Sequence, residues 1–199
     1  MTVDESADEG AGDWPVHLSG VVESVVTTLG PNDRWNVAAL GLHAGDPVTA
    51  RTYGRTRTRR NFRDRGAGYV QFTRDPVDFV DAALAVREVD TPVLDSADAW
   101  TEVAVDRIDS TSEDGTDVLI WRLDPVDSGV ERRVVPTTNR GFYAVVEATV
   151  AASRLGVESY DTETLLERLD YFERVVETCG GERERTAFDR IDDLVDAEW

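Results

Sequence analysis

The sequence predicts a mainly β protein with appended helices, of the α+β class. Two observations carry this prediction. Stretches rich in β-branched residues, separated by short turns containing Gly, Pro, Asn or Asp, fill roughly the first two thirds of the 199 residues. From Asn139 onward the apolar residues instead recur with a helical period of 3.6. A small antiparallel barrel of six or seven strands, followed by a helical segment, fits both.

The first three strands are predicted to form a meander. They span residues 16–29, 35–43 and 48–53, and the connections Gly30-Pro31-Asn32-Asp33 and Ala44-Gly45-Asp46-Pro47 are turn sequences. Such turns are too short for the crossover helices that join parallel strands, so a doubly wound fold fits the sequence badly.

Helices and a strand alternate in the segment that follows the meander. Residues 57–65 are compatible with a short helix that ends at Gly66, residues 68–73 form a strand, and Asp75-Pro76 opens a helix through Leu84, with Asp75 as its N-cap. Three further strands are predicted over residues 100–108, 116–123 and 128–135.

Three helices are expected to close the chain, around residues 142–153, 165–176 and 188–195, with Gly156 and Gly180-Gly181 as stops. On the first of them Arg140, Glu147 and Arg154 share one face. They predict either an ion-pair ladder that braces this helix against the barrel or a role near a ligand.

The charge composition is strongly one-sided. The net charge is −19, the chain contains no lysine, and the acidic excess resembles that of proteins from organisms with molar salt in the cytoplasm. Residues 1–14 are expected to be a disordered acidic leader, unlike a secretory signal, and no stretch is apolar enough to span a membrane, so a cytoplasmic protein is expected. One cysteine and two histidines exclude a disulfide framework and a Cys/His metal site.

One segment opposes the general charge. Residues 51–65 contain seven arginines and a single acid, a local net charge of +6, interleaved with Thr56, Thr58 and Asn61. Arginine forks, hydroxyls and a helix N-terminus near Thr58 are the groups that bind phosphate. The alternative is a solvated arginine face that pairs with neighbouring carboxylates.

Several motifs resemble one known family when taken in order. They are Thr27-Thr28, N36-V-A-A-L-G-L42, R51-T-Y-G-R-T-R-T-R-R-N61-F, G68-Y-V-Q-F-T-R-D75-P and N139-R-G-F-Y-A-V-V-E147-A-T-V-A-A-S-R154-L. In this arrangement the chain is similar to the archaeal and bacterial DUF447 family of the FMN-binding split β-barrels, alongside flavin reductases and pyridoxamine phosphate oxidases. The resemblance covers about residues 18–175.

The resemblance implies a six- to seven-stranded split β-barrel over residues 15–137, a C-terminal helical segment over 138–199 that packs on the barrel, and a homodimer with FMN at its interface. The implied FMN-binding residues are Asn36, Ala38, Arg51, Thr56, Thr58, Asn61 and Gln71. Arg51, Thr56, Thr58 and Asn61 would hold the phosphate and ribityl chain, and Asn36 and the backbone of residues 38–40 would face the ring. The chain departs from the family's pattern at Ala39, where proline is usual, and at Gln71, where asparagine is common.

Three functions remain open at this point. The first is a flavin-dependent oxidoreductase or electron-transfer protein that takes electrons from NAD(P)H or another small donor, for which no catalytic residue is evident because the cofactor carries the chemistry. His17 and His43 are candidates for ligand contact or for ordinary surface roles. The second is a non-catalytic ligand-binding module. The third is nucleic-acid binding through residues 51–65. It is disfavoured because molar salt greatly lowers the affinity of non-specific contacts with nucleic-acid phosphates.

Overall fold

The computed structural model describes residues 13–113, 115–195 and 199. Its seven strands are β1 (Val21–Leu29), β2 (Trp35–His43), β3 (Val48–Tyr53), β4 (Ala67–Thr73), β5 (Arg87–Val89), β6 (Ala97–Glu113) and β7 (Thr116–Val130). Its five helices are α1 (Arg57–Arg65), α2 (Pro76–Leu84), α3 (Arg140–Ala152), α4 (Thr162–Cys179) and α5 (Glu182–Leu194). Apart from Asp13 and Trp14, the expected acidic leader lies outside the described residues.

Six strands close into an antiparallel barrel. Their order is β1-β4-β6-β7-β3-β2, and β2 pairs again with β1, while the short β5 extends the sheet beside β2. Inside lies an apolar cluster that includes Leu42, Phe62 and Trp121, with Phe62 reaching in from α1 to meet the Trp121 ring edge-on at 5.5 Å. The predicted fold class, a split barrel with C-terminal helices, is confirmed.

The helices form a second layer outside the barrel. Val80 of α2 joins alanines of α3 and the apolar residues Leu169 and Ile191 of α4 and α5 in one core. Val146 of α3 packs against a third cluster, formed by the outer face of β1 and β2 together with α2. None of the described helices is long and apolar enough to cross a membrane.

Most predicted boundaries hold, including Asp75 as the N-cap of α2, where its carboxylate accepts from the N–H groups of Val77 and Asp78. The separate strand predicted over 128–135 is wrong. Strand β7 continues through Pro125 to Val130, since the register with β6 shifts between Glu102 and Val103 and proline is tolerated at such a bulge. Strand β5 was not predicted, because three residues are too few to show an alternation of apolar and polar side chains. Strand β1 begins at Val21 instead of the predicted Val16.

Candidate functional site

The barrel is split between β2 and β3. These strands pair only at Leu42 and His43, and the same edge of β2 pairs with β5 only over Trp35, Asn36 and Val37. Within the described residues, positions 38–41 therefore have no strand partner on that edge. A cavity of about 450 Å³ opens beside them, within the range of about 300–1,000 Å³ usual for small-molecule sites.

The N-terminus of α1 forms the polar end of this cavity. Thr56 is the N-cap, in extended conformation, and its Oγ1 accepts from the N–H of Arg59 at 3.1 Å. The N–H groups of Arg57 and Thr58 precede the first intrahelical bond, so they and the positive end of the helix dipole remain available to an anion. The Thr56 and Thr58 side chains both line the cavity.

The positively charged residue of the cavity wall is Arg51 of strand β3. Its Nη1 donates to Glu113 Oε1 at 3.1 Å, and both side chains are about 40% exposed. Such an exposed pair contributes little to stability, and the exchange of partners with an incoming anion costs correspondingly little. Tyr53, half-exposed, lines the same wall.

Three further arginines of the 51–65 segment make contacts within the protein. Arg57 pairs with Glu88 and Arg63 with Asp64, as expected for a solvated arginine face. Arg59 donates to the carbonyl of Gly54 at 2.7 Å and so fastens the loop that leads into α1. Of the arginines of this segment, Arg51 is the one that lines the cavity, together with Thr56 and Thr58.

The other end of the cavity is largely apolar. Residues 38–40 of β2 form one wall, and Phe79, Ala82 and Ala83 of α2 form the next. Helix α3 closes the cavity with Thr149, Val150 and Ser153. A flat apolar body attached to a phosphorylated chain matches this combination of walls.

Glu23 of β1 also lines the cavity. The residue keeps contact with solvent, yet its surroundings displace enough water to raise the pKa of its carboxyl above the ordinary value, and the nearby Glu147 carboxylate raises that pKa further. His43 acts in the opposite direction.

The structure brings four of the seven predicted binding residues to the cavity wall: Ala38, Arg51, Thr56 and Thr58. Asn36 lies just behind it, buried, with its Nδ2 3.5 Å from Thr58 Oγ1.

Two predicted residues make buried contacts elsewhere. The amide of Asn61 donates to the carbonyl and hydroxyl of Thr28, at 3.3 and 3.0 Å, and so ties α1 to β1. Gln71 is fully buried, donates to Pro92 O and Thr27 Oγ1, and accepts from Leu94 N–H at 2.7 Å. It is not among the residues that line the cavity.

The sequence interpretation missed the contribution of the helices and of Glu23. Thr149 and Ser153 carry a usable signal, since hydroxyls four residues apart share one helix face. Glu23 has no such signal, because an acid in a β-branched strand is the ordinary solvent-facing residue.

The predicted ladder on α3 is wrong. Glu147 is exposed and pairs with Arg168 of α4 at 3.1 Å, and Arg154 stacks over the Tyr160 ring at 5.0 Å. The first contact joins α3 to α4 and the second lies within the connection between them, so neither is an ion pair that braces α3 against the barrel.

Two family models match this chain. The model of the DUF447 N-terminal domain, a protein of unknown function, matches residues 22–132, and the model of the DUF447 C-terminal region matches residues 139–193. The chain belongs to the DUF447 family. The matched regions of this DUF447 protein coincide with the barrel and the helical layer, and both contribute residues to the cavity.

Solved structures extend the comparison. An FMN-bound DUF447 protein from Methanosarcina mazei is 25% identical, superposes with a TM-score of 0.76, and is matched over 89% of this DUF447 chain and 96% of its own.

More distant split barrels are also similar. An FMN-binding protein from Thermus thermophilus, solved with p-hydroxybenzaldehyde, has 17% identity and a TM-score of 0.41 over 63% and 81% of the two chains. The styrene monooxygenase flavin reductase from Pseudomonas putida S12 has 16% identity and a TM-score of 0.41 over 57% and 82%. Likenesses at this level are too remote to carry function.

Proposed function

We propose that this DUF447 protein binds FMN in the cavity at the barrel split and acts as a flavin-dependent oxidoreductase or electron-transfer protein. The observation that carries the proposal is the two-ended character of the cavity. One part of the wall presents free helix N–H groups, two threonines and Arg51, and the other presents apolar residues of β2 and α2 together with Val150 and the Thr149 and Ser153 hydroxyls of α3. The FMN-bound relative from Methanosarcina mazei supports FMN as the ligand.

The phosphate of FMN fits the N-terminus of α1. Hydrogen bonds from the N–H groups of Arg57 and Thr58, together with the Thr56 and Thr58 hydroxyls, would surround a phosphate with directed donors. Asn36 and Asn61 would support the site without contacting the phosphate. Asn36 would orient the Thr58 hydroxyl, and Asn61 would hold α1 against Thr28. We assign Gln71 to the support of the loop around Pro92 and Leu94.

The isoalloxazine ring fits the apolar end. Its faces would contact aliphatic side chains, and its polar edge would meet the backbone of residues 38–41, which lacks a strand partner on that side. When bound, FMN would supply the electron-transfer chemistry, and the protein would bind it, orient it and exclude water. A nicotinamide such as NAD(P)H is the proposed electron donor.

We propose further that the protein acts as a homodimer. Support comes from exposed apolar side chains around the split, among them Val21 at 57% and Tyr53 at 49% exposure, which a second copy would cover. Light scattering on a size-exclusion column, in high salt, tests this assembly.

The first experiment is an absorbance spectrum of the purified protein, followed by FMN titration in molar KCl. Flavin bands and saturable binding are expected. A colourless protein that takes up no FMN, yet retards RNA or DNA, would replace this function with nucleic-acid binding.

Residue assignment is tested with Arg51→Ala and Thr58→Ala. Each removes a hydrogen bond to a charged phosphate, worth about 1.5–3 kcal/mol, so the Kd for FMN should rise about 10- to 100-fold. Arg63→Ala is the matched control, because it removes the same charge from the segment at a side chain that pairs with Asp64. Equal loss in the control would indicate general charge attraction instead of a pocket.

Anaerobic titration with NADH and NADPH separates an enzyme from a passive binder. Bleaching of the flavin bands is expected with one or both donors. A bound flavin that neither donor reduces would identify a non-catalytic binding module.

A further inference from the structure

Glu23 and Arg51 are the two oppositely charged residues of the cavity wall. Glu23 pairs with Gly41 in the β1–β2 register, and Gly41 directly follows the β2 residues 38–40 that line the cavity. A Cβ built on Gly41 would stand 4.0 Å from Glu23 Oε2. A ring that lies against residues 38–40 would therefore have the Glu23 carboxyl beside it in the same cavity.

Glu23 also borders a second cavity. This space, of about 690 Å³, is lined by Val22 and Phe72 from the barrel and by the exposed segment 132–136. Glu23 contributes to the walls of both cavities. Its carboxyl is thus placed between the proposed flavin pocket and a space that is open to water.

The charges around Glu23 leave its carboxyl without a tight partner. No ion pair joins it to any cation in the described part of the chain. The titratable and charged groups that face it from adjoining elements, or share a cavity with it, are His43, Arg51, Arg74, Asp98, Arg132, Arg133 and Glu147. Arg74 is engaged with Asp98, and Arg132 with the backbone carbonyl of Ala97.

We propose that Glu23 takes up a proton when the bound flavin is reduced and releases it when the flavin is reoxidised. The proposal rests on the proposed FMN site, because Glu23 lines the same cavity as Thr56, Thr58 and the β2 residues against which the ring is proposed to lie. A hydride from a nicotinamide brings two electrons and one proton to FMN, and the nicotinamide leaves oxidised. The pocket then holds one more negative charge, and a proton from water converts the Glu23 carboxylate to the neutral carboxyl.

The direction follows from electrostatics. A new negative charge beside Glu23 disfavours its ionised form and raises the pKa of the carboxyl, which partial loss of water and the nearby Glu147 carboxylate already hold above the ordinary value. By reciprocity, ionised Glu23 lowers the midpoint potential of the flavin. Between the pKa of Glu23 in the oxidised and in the reduced protein, one extra proton accompanies two electrons, and the potential falls by about an additional 30 mV for each tenfold drop in proton concentration.

Potentiometric titration of the FMN-loaded protein between pH 5 and 9 tests the coupling. Glu23→Gln keeps the shape of the side chain and removes its charge, so its potential should lie higher at alkaline pH and lack the additional slope. Glu147→Gln, on the exposed face of α3, is the control, and it should keep the additional slope.

Infrared difference spectra provide a readout independent of turnover. Reduced minus oxidised wild-type protein should gain one carboxylic acid band that Glu23→Gln lacks and Glu147→Gln retains. Identical pH slopes in wild type and Glu23→Gln, or a band that persists in Glu23→Gln, would overturn the proposal while FMN binding stands. Failure of the folded wild-type protein to bind FMN would instead remove the proposed function and this inference together.

Discussion

Buried amide side chains hold the site in place from behind. Asn61 and Gln71 are 2% and 0% exposed, and each connects elements far apart in sequence, Asn61 to Thr28 and Gln71 to Thr27 and Leu94. In a low-dielectric interior a missing partner costs the full desolvation of the group left behind. Their polar groups are thus committed to the protein itself.

Asn61→Ala should therefore lower both stability and FMN affinity. The change strips the hydroxyl and carbonyl of Thr28 of their donor and loosens α1, so we expect the free energy of unfolding to fall by about 1–3 kcal/mol. Urea unfolding and FMN titration measure the two effects. Asn32→Ala, at an exposed turn residue, is the control, and equal behaviour of the two variants would contradict this role.

Among the site residues, those in the segment where threonines and arginines alternate were predicted best from the sequence. Thr56, Thr58 and Arg51 were predicted as neighbours of one anion, and they share a wall. The family resemblance implies that Gln71 contacts the flavin. The strand pattern alone does not show whether a polar side chain faces a cavity or a loop that covers the strand. In the structure the loop at Pro92 covers Gln71.

Glycine sets the distance between α3 and the end of α4. A Cβ at Gly141 would stand 2.5 Å from the Cα and 2.8 Å from the N of Gly180. Both neighbours are backbone atoms, so no side-chain rotation can relieve the overlap. The start of α3 can approach the end of α4 this closely because position 141 carries no side chain.

Gly141→Ala should consequently destabilise the protein, although alanine favours a helix by about 1 kcal/mol over glycine. Overpacking of this kind costs about 1–3 kcal/mol, and separation of α3 from α4 should follow. Urea unfolding measures the loss, and Arg140→Ala, at the exposed neighbouring position, serves as the comparison. An unchanged or increased unfolding midpoint in Gly141→Ala would refute the close contact.

At the element scale, periodicity and capping predicted all five helices and the meander, because these signals are local. The extent of β7 was not predictable in the same way. The run D124-P-V-D-S-G129 has turn composition, yet it continues as a strand because β6 supplies a partner across a register shift. Pairing across a sheet is a tertiary effect, and it overrides local turn preference.

The whole molecule carries a charge of −19, and this dominates its response to salt. Repulsion among carboxylates reaches about 10 Å at 0.1 M salt and about 3 Å at 1 M, so molar salt confines it to contact range. We propose that the protein works at high ionic strength.

Thermal unfolding in KCl from 0.1 to 3 M should accordingly show a rising midpoint. A variant with Glu167→Gln, Glu177→Gln and Asp189→Asn removes three exposed charges, and it should depend less on salt. A midpoint that is flat in wild type, or an equal slope in the variant, would show that charge repulsion does not limit stability.

The cavity draws its walls from both matched regions of the family, with Thr149, Val150 and Ser153 contributed by the second region and the other wall residues by the first. The connection between the regions, residues 133–138, is exposed and lacks helix or strand. A chain severed there would yield a barrel fragment that keeps most of the wall residues and a helical fragment that keeps the α3 part of the wall. Because the cavity is complete only when both are present, we expect the proposed flavin binding to depend on reassembly of the fragments, and FMN titration of each fragment and of their mixture would measure that dependence.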